Sequence, residues 1–237
     1  MNLTTKLLSA SSSPESQYRD QVGFASHFDG EEGSTQIVAT SPDGPISIVG
    51  NAKITNTLSK FGGSLDLRGS SSTNQQYVNV PKINKLVLGT NDFTIECFCW
   101  LNQYVSASVV HSPILTMGAS AAGNFLMVGI NNLGKIRLYS YITNSVLLLG
   151  NITISPQTWT HVAITRINNV FMIFVNGVLD TTLNQVQNFD SFGGSCYVGG
   201  FFTNQRYFDG CLDDMRILNG IGLYSSSFVV PTKPYTL

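Results

Sequence analysis

The chain has 237 residues, a formal net charge of -1 and only 11% Asp, Glu, Lys and Arg against 43% hydrophobic residues. That is about half the usual charged share of ~25%. With neither a basic run nor an acidic block, it argues against nucleic acid and against an anionic membrane surface as partners. No apolar run reaches the ~18 residues of a membrane-spanning helix.

Residues 1–20 are Ser-rich and polar, carry Pro14, and have one short apolar patch at Leu7 and Leu8. They predict an arm or linker in front of a single domain over residues 21–237. The segment lacks the continuous apolar centre of a secretory signal. With Met1 at its head, the expectation is a protein made and kept in cytosol. From Gln21 onward, short runs with strand character alternate with turn residues at the spacing of a sandwich. In chain order they are "VGFASHF", "QIVAT", "ISIVG", "SLDLRG", "YVNVP", "FTIECFCW", "PILTMG", "FLMVGI", "KIRLYSYI", "WTHVAITRI", "VFMIFVNG", "SCYVGG", "CLDDMRIL" and "SFVVP". The connectors "INNLGK", "RINNVF" and "VNGVL" supply the Asn and Gly that tight hairpins need. Only "LVLGTND" and "NGIGLYSSS" suggest a turn or two of helix. The fold class is therefore all-β, as two packed antiparallel layers.

Cys97 and Cys99 lie two apart on one strand face, and Cys196 and Cys211 fall in separate runs, so no zinc-type C-x-x-C pair is present. All four read as packed thiols; a Cys196–Cys211 bridge across neighbouring strands is the alternative. In "DGCLDDMRILNGIGLY", strict alternation puts Asp213 on the face of Cys211, Met215 and Ile217. Asp214 then falls with Leu212, Arg216 and Leu218. A carboxylate on a core face needs a cation or several donors.

Several segments together resemble the laminin G-like, concanavalin A-type jelly rolls, in particular the group common in bacteriophage tail and virion proteins. They are "SHFDGEEGST", "KFGGSLDLRGSSSTNQQYVNVP", "DFTIECFCW", "TWTHVAITRINNVFMIFVNGVL" and the closing "FDGCLDDMRILNGIGLYSSSFVVPTKPY". The similarity runs from about Phe24 to Tyr235 and implies a jelly-roll β-sandwich. One departure is the strand after "FDG", where many relatives carry an Asp and this chain has Ala39 and Thr40.

The retaining glucanases of that superfamily place two carboxylates on alternate residues of one strand, ~5 to 5.5 Å apart. The only glutamates here are Glu15, Glu31, Glu32 and Glu96. Glu96 has no second acid at i+2 or i+4, so the reading is non-enzymatic. The resemblance also implies a structural calcium held by Asp213, with Asp29 and Asp214 as helpers and carbonyls near Gly30 or Gly63 completing the shell. The alternative is that Asp213 accepts backbone N–H bonds. Asp214 is expected in an ordinary ion pair.

For a ligand, Arg137, Tyr139 and Tyr141 share one face of "KIRLYSY", and flat aromatics beside an arginine suit sugar rings. A face covered by neighbouring side chains or a second subunit is the alternative. In "GGFFTNQRYFDG", Phe201, Phe202, Tyr207 and Phe208 flank a polar tip, with two of the four expected to be core anchors. The function expected is a phage virion surface protein, a capsid decoration or fibre component contacting host glycans. A bacterial carbohydrate-binding adhesion module is the alternative. Capsid or other virion proteins would be reached through the N-terminal arm, and homo-oligomeric assembly is expected.

Overall fold

The computed structural model describes residues 16–40, 44–81, 84–106, 111–119, 124–140, 145–189, 196–201 and 206–235. Among the described residues, fifteen strands form two antiparallel sheets. Sheet A is eight-stranded and runs, in space, β13 (Val178–Asn184), β12 (Val170–Val175), β11 (Trp159–Ile167), β6 (Phe93–Leu101), β15 (Gly210–Asn219), β4 (Ser64–Asp66) and β3 (Lys53–Thr55), with β1 (Val22–Ser26) also on β15. Sheet B is seven-stranded and runs β10 (Ser145–Thr153), β9 (Lys135–Ser140), β8 (Asn124–Ile130), β7 (Ser112–Ala119), β14 (Cys196–Val198), β5 (Tyr77–Val80) and β2 (Ser47–Val49).

The core lies between the sheets and follows the period of two. On β6, Phe93, Ile95, Cys97, Cys99 and Leu101 point inward, and Ile136 and Leu138 of β9 meet them from sheet B. All four cysteines are free and buried. The bridge alternative does not hold, because Cys196 belongs to sheet B and Cys211 to sheet A. Burial pushes the Cys99 and Cys211 thiols up to about 12, which makes them inert packing groups.

Among the described residues, Arg166 is the one charged residue in the set of largest fully buried side chains. Its guanidinium lies over the rings of Phe93, Phe171 and Phe189 at 5.0, 5.6 and 5.2 Å. It donates to the carbonyls of Gly89, Asn91 and Gln187 at the end of the sandwich. An arginine supplies the fork of donors those carbonyls need without opening the core to water.

The hairpin turns form as their residues predict. Asn168 and Asn169 both sit at positive φ, 49° and 67°, between β11 and β12. At Asn176 and Gly177 (φ 48° and 75°) the turn also receives another segment: a Cβ on Gly177 would stand 2.2 Å from the Phe228 carbonyl oxygen. That contact belongs to residues 220–235, which form a strap over the outer face of sheet A. Tyr224 and Phe228 stack at 3.6 Å, and both meet Phe174. Thr165 donates to the Tyr224 carbonyl and Thr94 to that of Ile221.

Two expected strands differ. "QIVAT" makes only an isolated bridge, Thr40 to Ala25, and "SFVVP" runs as part of the strap. Three strands were not legible: β3 is three residues long, β10 carries a continuous Val-Leu run, and β13 is a polar edge. The two segments with helical character form no α-helix; a 3-10 turn at Asn84–Leu86 takes up the start of the first. A second 3-10 turn, Ser16–Gln21, sets Tyr18 against Val22, Ala25 and Leu218, so the chain is packed from within the segment expected to be an arm.

Candidate functional site

The paired aspartates sit where β15 changes neighbours. One flank of β15 pairs with β4 at Cys211 and Leu212, then with β1 from Met215 to Leu218. Against β6 the register gains one residue between Asp213, opposite Phe98, and Arg216, opposite Glu96. Asp214 takes φ 49° there, which marks a β-bulge. The bulge resets the alternation: Leu212, Met215 and Ile217 face the inter-sheet core. The expectation that put Asp213 on the core face is therefore corrected, and both carboxylates lie on the outer face of sheet A.

Their oxygens go to backbone donors of the bend that precedes β4 and to the strap. Asp213 Oδ2 accepts from Lys60 N at 2.8 Å and Phe61 N at 2.9 Å, and Asp29 Oδ1 from Gly63 N at 2.6 Å. Asp214 accepts from Tyr235 N at 3.0 Å and from His27 Nδ1, so its ion-pair partner is a histidine and not Arg216. The hydrogen bond to Asp214 raises the His27 pKa above its usual value. Burial holds the Asp213 carboxyl up to about 7; the two N–H bonds oppose this, and Asp214 and Asp29 add to it.

A calcium ion takes six to eight oxygen ligands. Among the described residues, no group of three or more His, Cys, Asp or Glu is placed to hold a metal ion. Each of the three carboxylates is already engaged by N–H donors. The backbone cage expected as the alternative for Asp213 is present, with N–H donors on the carboxylates that the calcium implied for Asp213, Asp29 and Asp214 would share.

Glu96 is the hub of a buried polar network on the same face. Its Oε1 accepts from Arg216 Nε at 2.7 Å, and its Oε2 accepts from the Tyr224 hydroxyl at 2.9 Å and lies 3.2 Å from His161 Nε2. His161 Nε2 also meets the Tyr235 hydroxyl at 2.9 Å, and Arg216 lies 3.9 Å over the Tyr235 ring. Burial disfavours the carboxylate, but Arg216 first and then His161 outweigh it and hold Glu96 down to about 2. A general acid needs a raised pKa and access to substrate. Glu96 has neither, so it ties the strap to the sheet.

The outer face of sheet B has the chemistry of a ligand surface. Across the strands, Tyr139 of β9 stands opposite Met127 of β8, then follow Thr116 of β7, Tyr197 of β14 and Asn79 of β5. Arg137 and Tyr139 lie on this face, as the alternation of β9 predicts. Arg137 is only 7% exposed, so it is not part of an open platform. Phe201 is buried against Met127 and Tyr139, and Phe208 belongs to the main core. Tyr207 bridges to Gly200, and its carbonyl accepts from Ser112 at 3.1 Å. Tyr141 and Phe202 lie outside the described residues.

Sequence reading missed the other half of this face. Tyr77 and Tyr197, both half-buried, meet edge to face at 5.7 Å. Beside them is a cleft of about 580 Å³ lined by Val49, Gly50, Ser72, Thr73, Asn74, Gln75 and Tyr77. "YVNV" and "CYV" each place a Tyr opposite core valines, which is the signal that existed. That β5 and β14 are neighbours was not readable. Gln75 Nε2 donates to the Arg206 carbonyl at 3.2 Å and joins this cleft to the segment carrying Phe201 and Tyr207.

The profile of the concanavalin A-like lectin/glucanases superfamily matches residues 72–221, from the cleft wall to the start of the strap. The chain belongs to this superfamily. Comparison with curated proteins returns no match. Among solved structures, the superfamily fold is shared with domain 4 of AbnA, a GH43 extracellular arabinanase of Geobacillus stearothermophilus, at TM-score 0.62 and 20% identity over 84% of this chain and 94% of that one. The binding domain of Paraclostridial Mosquitocidal Protein 1 aligns at TM-score 0.64 and 15% identity over 88% of this chain and 51% of that one. Botulinum neurotoxin type C aligns at TM-score 0.62 and 15% identity over 87% and 50%. This chain thus spans about half the length of the two toxin chains. At these identities the likeness is one of fold.

Proposed function

We propose that the protein is a non-catalytic carbohydrate-binding protein whose ligand lies on the outer face of sheet B, along the cleft beside Tyr77 and Tyr197. The observation that carries the reading is that aromatic pair, whose Tyr77 lines a cleft walled by Ser72, Thr73, Asn74 and Gln75. Rings offer a sugar its flat apolar side, while hydroxyls and amides answer its OH groups. The arabinanase domain was solved with arabinotriose, and cell entry by the neurotoxin depends on two ganglioside molecules, which agrees with this use of the fold. The non-catalytic part rests on the locked Glu96.

On a glycan array followed by calorimetric titration, at least one oligosaccharide is expected to bind. Tyr197→Ala is expected to weaken it about tenfold, the scale of one lost stacking contact. Binding that is indifferent to both Tyr197→Ala and Tyr77→Ala moves the site elsewhere, and an array without hits sinks the reading.

The setting we propose is a virion surface, as a capsid decoration or fibre component, with residues 1–20 contacting capsid proteins. It rests on the five sequence segments that resemble the group common in bacteriophage virion and tail proteins. Co-sedimentation with assembled capsids that is lost on deleting residues 1–20 is the expected result; co-sedimentation that survives the deletion removes the arm from the reading.

A further inference from the structure

A second pocket, of about 300 Å³, opens where the loop after β6 meets the segment leading into β15; Gln103, Tyr104, Val105, Ser106, Tyr207 and Asp209 line it. That is the lower end of the ~300 to 1,000 Å³ range of ligand pockets, a size for one sugar residue. Tyr104 is 38% exposed and yet held at two points. Its hydroxyl donates to the Ile154 carbonyl at 2.8 Å, and its ring rests on Gly134 (φ 74°), where a Cβ would stand 2.7 Å from a ring carbon. An open ring fixed in this way loses little freedom when a ligand stacks on it.

Asp209 supplies the polar side of the pocket. Its Oδ1 accepts from Gly69 N at 2.9 Å and its Oδ2 from Asn102 Nδ2 at 3.0 Å, and its own carbonyl accepts from Asn102 N at 2.9 Å, so the carboxylate is firmly placed. The exposed Gln103 reaches Oδ2 only at 3.4 Å, beyond the usual ~2.7 to 3.2 Å of an N–H···O bond. A carboxylate has about four acceptor positions, so the place that Gln103 holds weakly is open to a ligand hydroxyl. The pocket is also tied to the cleft. Asp209 bonds the start of the 69–75 loop, the Arg206 carbonyl takes the Gln75 amide at its end, and residues 72–75 of that loop wall the cleft.

We propose that this pocket is a second sugar subsite, and that the ligand is a neutral oligosaccharide with one residue at Tyr104 and another in the cleft beside Tyr77. The proposal rests on the carbohydrate reading above. The Tyr104 ring takes the apolar side of the sugar, while Asp209 and Gln103 take its hydroxyls. A uronic or sialic acid residue is disfavoured there, because its carboxylate would meet that of Asp209 out of bulk water.

The test uses the full chain and mono- to hexasaccharides of the glycans that bind on the array, titrated calorimetrically. Affinity is expected to step up about tenfold at the length that reaches from the cleft to Tyr104, the scale of one stacked ring. Tyr104→Ala should abolish that step and Gln103→Ala should reduce it, and a long ligand whose terminal residue is oxidised to the uronic acid should lose it. Thermal melts beside each variant separate a lost contact from a lost fold, and the exposed Gln103 serves if Tyr104→Ala unfolds. Affinity that does not change with length, or a step that survives both variants, overturns the subsite and leaves the cleft reading standing. A step kept by the uronic acid form overturns the neutral class. If no oligosaccharide binds at any length and the array is blank, both readings fall.

Discussion

Glu96→Ala is expected to destabilise the fold by about 3–5 kcal/mol, the scale of breaking a buried ion pair by removing one partner. The alanine leaves Arg216, 7% exposed, without its carboxylate. It also strips the Tyr224 hydroxyl and His161 Nε2 of their acceptor, which releases the strap from sheet A. Glu96→Gln should cost less, since an amide oxygen still accepts from Arg216. Urea unfolding at pH 7 measures both, and a loss below about 1 kcal/mol for the alanine variant would mean that the strap is held by its apolar stack alone. The pH dependence has a definite sign. Glu96 titrates near 2 in the folded protein against a usual 4.5. Its contribution is fully present above pH 4.5 and is lost as the pH falls from there towards 2.

Asp213→Asn is expected to act in the opposite direction on the other side of the same face. The folded protein holds the Asp213 proton up to about 7, whereas the unfolded chain releases it near 3.8. Stability from this group is therefore complete below pH 3.8 and declines as the pH rises to 7. At about 1.4 kcal/mol per pKa unit the decline amounts to a few kcal/mol. An asparagine oxygen still accepts from the Lys60 and Phe61 N–H groups but carries no charge to desolvate. The variant should match the wild type at pH 4 and melt at a higher temperature at pH 8. His27, whose pKa is also raised, loses its contribution in the same upward direction and keeps some slope in the variant. A variant that melts well below the wild type at pH 8 would show that a negative charge is needed at Asp213, as a bound cation would require.

The period of two was enough to recover most of the sandwich, because burial between two sheets imposes alternation on every strand that contributes to the core. "FTIECFCW", "KIRLYS" and "WTHVAITRI" carry it in full. The Asn-Gly and Asn-Asn turns were legible for a local reason: few side chains other than Asn, Asp and Gly tolerate positive φ. Strands whose neighbours decide their fate were not legible. "SFVVP" has strand composition, but it lies over an already complete sheet. The polar β13 is a strand because β12 offers it a free edge.

The candidate ligand face divides in the same way. Arg137 and Tyr139 were placed on one face by alternation along β9. Tyr77 and Tyr197 become a pair only through the long-range pairing of β5 with β14, and their cleft depends on where the Ser72–Gln75 turn falls beside it.

By itself the sequence determined an all-β, weakly charged sandwich, since those properties follow from composition and from spacing along single strands. The tertiary structure alone decided the faces of Asp213 and Asp214. A strand that exchanges β4 for β1 partway along its flank must absorb one extra residue, and that single bulge carries both carboxylates to the outer face, where backbone N–H groups of the facing bend and of the strap receive them.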